Sequence, residues 1–202
     1  LWLPDKLEKQ LEQFREHPDV GVCGTGMRVI DPEGTVIRDD AGSERCGAAL
    51  PDLLAGRFTV PMSSAMIRRD VLDRAGPFDE DVLLSEDFEL WLRVALQCPF
   101  RIMAEPLLLY RVGHSNISGT RSDERREYVM RVIVPRFLGL PTASMYVLPR
   151  HVRELRSRCF KNRADEKAAW LPGVYWYVRS LMCRPLYAEA WEALAARLLP
   201  SF

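Results

Sequence analysis

Two adjacent carboxylates, Glu86 and Asp87, follow Ser85 at the head of the run Ser85-Glu86-Asp87-Phe88-Glu89-Leu90-Trp91-Leu92-Arg93. A serine before a helical run is a good cap. Acidic residues in the first turn meet free backbone N–H groups and the positive end of the helix dipole, which favour ionised carboxylates. Held rigidly at such a helix mouth, Asp87 suits a general base that takes a proton from an acceptor hydroxyl as the oxygen attacks an activated carbon. Ser followed by acids is also simply a sound helix start, so the pattern leaves both readings open. It does exclude one class. Neighbouring residues of a helix point in different directions and cannot flank a glycosidic bond at the ~5 to 9 Å that a glycosidase needs. No Gly-rich loop of the G-x-x-x-x-G-K type and no Ser-His-Asp order stands out elsewhere.

The elements that must hold this run can be read from spacing and punctuation. Leu7, Leu11 and Phe14 recur at three-to-four spacing between Pro4 and Pro18, predicting a first helix with that face packed on a sheet. Val20 to Ile30 and Thr35 to Arg38 read as strands joined by the turn Asp31-Pro32-Glu33-Gly34. Phe58 to Ile67 is a third extended candidate, followed by a short helix, Val71 to Ala75, with Asp70 as its cap and Gly76-Pro77 as its stop. The helix from about Glu86 to Gln97 carries Leu90 and Val94 on one face, and Phe100 to Val112 reads as one or two strands broken at Pro106. Beyond the charged stretch Arg121 to Arg126 the apolar spacing is helical. Two segments there, roughly Lys167 to Cys183 and Tyr187 to Leu199, would form an antiparallel pair resembling a helical repeat, which makes a protein partner for this tail the competing function.

Composition narrows the partners. The 202 residues carry 28 basic and 28 acidic side chains, so no net field draws the chain to nucleic acid or to an anionic membrane. The longest apolar stretches fall short of the ~20 residues that span a bilayer. Five scattered cysteines without a C-x-x-C pair fit free thiols in a reducing, cytoplasmic compartment. The first residue is Leu1, with no initiator Met, which reads as a cut through a domain.

Three ordered blocks then carry a resemblance: PMSSAMIRRDVLDRA, GPFDEDVLLSEDFELWLRVAL and FRIMAEPLLLYRVGHSNIS. Together they resemble the second half of a glycosyltransferase family 2 catalytic domain. The opening Leu1-Trp2-Leu3-Pro4-Asp5-Lys6-Leu7-Glu8 is similar to the segment that follows the family's metal-binding aspartate motif. The resemblance implies an α/β fold: a partial GT-A, Rossmann-like domain with a mixed sheet over residues 1–120, then an all-α extension over 121–202, with the nucleotide-binding half absent. A truncated sheet of that kind is expected to leave Val20 to Ile30 with an open edge.

Carried over by position, the resemblance implies Asp87 as catalytic base and Glu86 as its companion at the helix mouth. Trp91, Ser63 and Ser64 would line the acceptor side, although Trp91 also reads as a core aromatic. Arg111 and Ser118 would approach the donor diphosphate. His114 would meet its metal, but it sits one place later than the commoner arrangement, and a solvated histidine reads as well. The implied activity is inverting transfer of a hexosyl group from a nucleoside-diphosphate sugar to a glycan or lipid-linked acceptor. A divalent cation, Mg or Mn, would be bound mainly by the absent half, and the work done in the cytoplasm at the inner face of the membrane.

Overall fold

Helix α1 (Lys6–Glu16) turns its polar side inward. Lys6 and Gln10 are fully buried, whereas Leu7 and Leu11 are 45% and 49% exposed and Phe14 is half-buried, so most of the face expected to pack on the sheet faces solvent. The reason is that the region beneath α1 contains backbone carbonyls that need donors, and a buried acceptor without a partner costs more than an exposed leucine. The structure, a computed structural model, describes residues 1–40, 42–57, 59–113 and 122–139, with 157 and 161.

The chain divides into two compact units, Leu1–Leu50 with Thr59–Ser122, and Pro51–Phe58 with Asp123–Phe202. Segment Pro51–Phe58, read from sequence as part of the first domain, thus groups with the second unit. The first unit is built on strands β1 (Val22–Ile30), β2 (Val36–Asp40), β3 (Arg45–Gly47), β4 (Met66–Ile67) and β5 (Phe100–Arg111). The sheet order is β2-β1-β5-β3, with β4 also on β1. The β1–β5 pair is parallel and the other pairings are antiparallel, which makes a mixed α/β sheet of the kind expected of a GT-A-like partial domain. Helices α2 (Leu50–Leu54), α3 (Arg69–Ala75) and α4 (Glu86–Ala95) complete the order up to β5.

Strand β1 is central. It has β5 on one edge and β2 and β4 on the other, so the open edge expected there is covered at both ends, by β4 at 22–23 and by β2 at 27–30, with residues 24–26 between them. The far edge of β5 is likewise occupied: β3 pairs with residues 100–102, and the opening residues lie along 107–109 through Leu3 N–H to Leu107 O (3.0 Å) and Leu109 N–H to Leu1 O (2.8 Å). Pro106 does not break β5 in two. The register passes from Thr25↔Met103 to Gly26↔Pro106, so the extra residues Ala104 and Glu105 bulge and absorb the missing N–H. A side chain on Gly26 would meet the Ala104 carbonyl at 2.6 Å, which is why glycine faces this bulge.

The expected strand Phe58 to Ile67 is mostly irregular: Met62–Ser64 is a 3₁₀ turn and only Met66–Ile67 pairs. In the second unit, α5 (Ser122–Tyr128) runs through a π turn (Val129–Ile133) into α6 (Val134–Leu138), with Val129, Ile133 and Phe137 buried at four-residue spacing. Val134 N–H reaches back five residues to Val129 O, a widened turn just before Pro135, which has no N–H to give and crowds the preceding turn. The two further tail helices read from sequence lie outside the described residues.

Candidate functional site

The first turn of α4 carries the acidic pair. Its cap, Ser85, is held at φ 58°, ψ 40°, the left-handed conformation that a serine adopts at a cost, and no other non-glycine among the described residues has positive φ. The side-chain cap expected of Ser85 is absent; its backbone carbonyl instead accepts Glu89 N–H at 3.2 Å. A sharp turn at Ser85 swings the chain directly into the helix. Glu86 is thereby exposed and Asp87 half-buried, with Asp87 Oδ1 accepting the Phe88 N–H at 2.8 Å.

The approach to that turn is clamped from the other end of the helix. The Arg93 guanidinium makes a two-pronged pair with both Glu89 carboxylate oxygens, each at 2.7 Å. It also donates to the carbonyls of Ala75, Gly76 (3.2 Å) and Pro77 (2.9 Å). Gly76 has φ 80° and ends α3, so one side chain ties the α3 stop to α4.

Trp91 stands one turn after Asp87 on the same face of α4. It is fully buried, edge-on to Phe100 with ring centroids 5.9 Å apart, and so takes the core-aromatic place that the sequence also allowed. Its reach toward a ligand is indirect: Nε1 donates to Val60 O at 2.9 Å. Val60 belongs to the wall of a cleft of about 360 Å³, whose floor is Gly24 to Gly26 of β1 and whose opposite rim is Asp39, Asp40 and Gly42.

Ser64 lies in the same wall, fully buried, with Oγ donating to Pro61 O at 2.9 Å. Ser63 is exposed, and its carbonyl accepts Trp2 Nε1 at 2.7 Å. Behind them Gln10 donates to Ser64 O (2.9 Å) and Cys23 O (2.7 Å), while Lys6 Nζ donates to Gln10 Oε1 (2.6 Å) and sits 4.3 Å from the centre of the Trp2 ring. Burial holds the Lys6 ammonium below the ordinary lysine range, opposed by its neighbour Cys23; burial also pushes the Cys23 thiol up to about 11. None of Trp2, Lys6, Gln10 or Asp39 was singled out from sequence. A lysine and a glutamine four apart look like a solvated helix face, and only Trp2 just upstream hints otherwise.

Arg111 ends β5 level with Ile30, at the carboxyl end of the parallel pair, where open α/β sheets bind ligands. Its guanidinium holds the turn after β1, donating to Asp31 O (3.0 Å) and Pro32 O. His114 and Ser118 lie outside the described residues. Among the described residues no group of three or more His, Cys, Asp or Glu could hold a metal ion, no helix is long and apolar enough to cross a membrane, and Cys23, Cys46 and Cys98 are free thiols.

The mixed sheet agrees with the comparisons to known proteins. Residues 1–133 match the family described as Glycosyltransferase like family 2, and the chain belongs to that family. It is similar to the O-antigen biosynthesis glycosyltransferase WbnJ of Escherichia coli, 28% identical over 153 residues, covering 68% of this chain and 56% of that protein. It is also similar to the uncharacterized glycosyltransferase MJ1057 of Methanocaldococcus jannaschii, 23% identical over 127 residues, covering 62% of this chain and 43% of that protein. The chain spans about half the length of these curated relatives.

Proposed function

We propose that this chain supplies the acceptor side and the general base of an inverting transferase, which moves a hexosyl group from a nucleoside-diphosphate sugar to a hydroxyl of a glycan or lipid-linked acceptor. The observation that carries it is the position of Asp87: it emerges in the first turn of α4 behind a strained Ser85, on the helix face whose Trp91 grips the cleft wall at Val60. A carboxylate so fixed can take the acceptor proton as the oxygen bonds to the anomeric carbon from the face opposite the diphosphate, whose bond to that carbon breaks with the electron pair. Glu86, exposed beside it, would hold the acceptor. Arg111, at the carboxyl end of the parallel strands, would face the donor diphosphate, with Ser118 and His114 beyond the described residues.

A divalent cation, Mg or Mn, would be held mainly by the donor-binding part of the full-length protein, where it would neutralise the leaving diphosphate. The name of the Escherichia coli relative, which gives O-antigen biosynthesis, supports a role in cell-surface polysaccharide assembly; work at the cytoplasmic face of the membrane is part of the same proposal and has no support in that name. The test is Asp87→Asn in the full-length protein. Asn fits the helix start but cannot accept the proton, so kcat should fall by about 10²- to 10⁴-fold with donor KM unchanged. A variant keeping most of its kcat would remove Asp87 from the role.

A further inference from the structure

The wall from Val60 to Ser64 is irregular, yet its carbonyls are claimed by side chains from several elements. Trp91 of α4 donates to Val60 O (2.9 Å), Ser64 Oγ to Pro61 O (2.9 Å), Trp2 to Ser63 O (2.7 Å) and Gln10 of α1 to Ser64 O (2.9 Å). A short segment held this way is preorganised, as a ligand-binding wall must be. Across the cleft the register pairs Arg28 with Asp39 and Met27 with Asp40, and strand alternation puts Arg28 and Asp39 on the same face as Gly24 and Gly26. Asp39 is therefore the carboxylate on the cleft side, steadied by Arg28 Nε at 3.1 Å, while Asp40 turns away toward Arg38 at 2.7 Å. The floor is narrow because it has no side chain: a Cβ on Gly24 would come within 3.0 Å of both Val60 and Ile102.

Between these walls the reachable polar groups are the Asp39 carboxylate and the exposed Thr59 hydroxyl, with the apolar surfaces of Pro61 and Ile102 beside them; none of the described lining residues is basic. Hydrogen-bond acceptors beside apolar surface match a ligand that offers several hydroxyl donors on one side and C–H groups on the other. Such a rim repels a diphosphate. The geometry points to this cleft as the binding site for a neutral sugar unit of the acceptor, with Asp39 and Thr59 as its specificity-determining contacts. The word acceptor rests on the transferase reading; the binding itself does not.

The experiment is saturation-transfer NMR on the 202-residue chain with the methyl glycosides of glucose, galactose and N-acetylglucosamine, and with inorganic diphosphate and spermidine as competitors. At least one glycoside should receive saturation, and Asp39→Asn and Thr59→Val should each weaken it by about tenfold, the cost of losing a hydrogen bond to a charged or well-placed polar partner. Arg28→Gln breaks the same exposed ion pair without removing the carboxylate, and it should leave the signal in place. The proposal is overturned if no glycoside is saturated, if Arg28→Gln abolishes the signal as fully as Asp39→Asn, or if diphosphate or spermidine displaces the sugar. Asp87→Asn should leave glycoside binding intact. Loss of transfer in that variant alongside absent sugar binding would thus discard the cleft and keep the transferase, whereas sugar binding with full activity in Asp87→Asn would do the reverse.

Discussion

Lys6 and Gln10, one turn apart on α1, are both fully buried and joined by a hydrogen bond of 2.6 Å, with the glutamine amide passing on to the carbonyls of Cys23 and Ser64. Gln10→Leu would leave two buried carbonyls and a buried ammonium without this partner, so we expect about 3 kcal/mol of destabilisation. Leu11→Ala, on the exposed face of the same helix, should cost no more than about 0.5 kcal/mol beyond noise. Urea unfolding of the two variants makes the comparison; equal losses would contradict the inward-facing polar stripe.

Ser85 offers a second measurement. Glycine adopts the left-handed backbone freely, so Ser85→Gly should stabilise the chain by about 1 kcal/mol or leave it unchanged, whereas Ser85→Val should destabilise it by more than that amount. In the full-length protein the glycine variant should also lower kcat, because the turn that aims Asp87 becomes looser. A valine variant as stable as wild type would argue against the strained turn.

Arg93 is the clamp behind the same turn. Arg93→Gln removes the paired hydrogen bonds to Glu89 and frees carbonyls of the Ala75–Pro77 turn, an expected loss of about 2–3 kcal/mol. Arg93→Lys should recover little of it, since an ammonium cannot span both carboxylate oxygens and the turn together. Recovery of wild-type stability by lysine would show that charge alone suffices.

The alkaline range tests the buried thiols. Cys23 and Cys98 are each raised from 9.0 to about 11 by burial, so the folded chain holds protons that the unfolded chain releases. Their contribution is fully present below pH 9 and is lost as pH rises toward 11. Lys6, lowered by burial, works the other way: the unfolded chain binds the extra proton, so its cost is relieved as pH approaches 10.5. Melting temperatures should fall between pH 9 and 11, less steeply in the Cys23→Ala, Cys98→Ala double variant and more steeply in Lys6→Met.

What the sequence made legible was what obeys local rules. The strand–turn–strand of β1 and β2 follows from a Pro-Glu-Gly turn between apolar runs; α4 follows from acids before a periodic apolar face; and Gly76 stops α3 where a glycine should. What was not legible depends on partners far along the chain. The inversion of α1 is decided by carbonyls at Cys23 and Ser64, the hydrogen bond of the Trp91 indole by Val60, and the bulge at Pro106 by its register against Gly26. The acidic pair stands out from its place at a helix start, and its role comes from the family resemblance. The cleft rim at Asp39 could not, because it requires knowing which face of β2 meets which face of β1.

The bond between the first residue and Leu109, 108 positions later, sets an order of events during synthesis. On a ribosome adding ~5–20 residues per second, the opening strand segment waits roughly 5–20 s for the stretch that will receive it. Until then the β1–β2 hairpin can close on its own while β1 still lacks its parallel neighbour. The indoles of Trp2 and Trp91 come to rest on the same short wall although they lie far apart in the chain. The Val60–Ser64 wall is therefore among the last parts of the first unit to take shape.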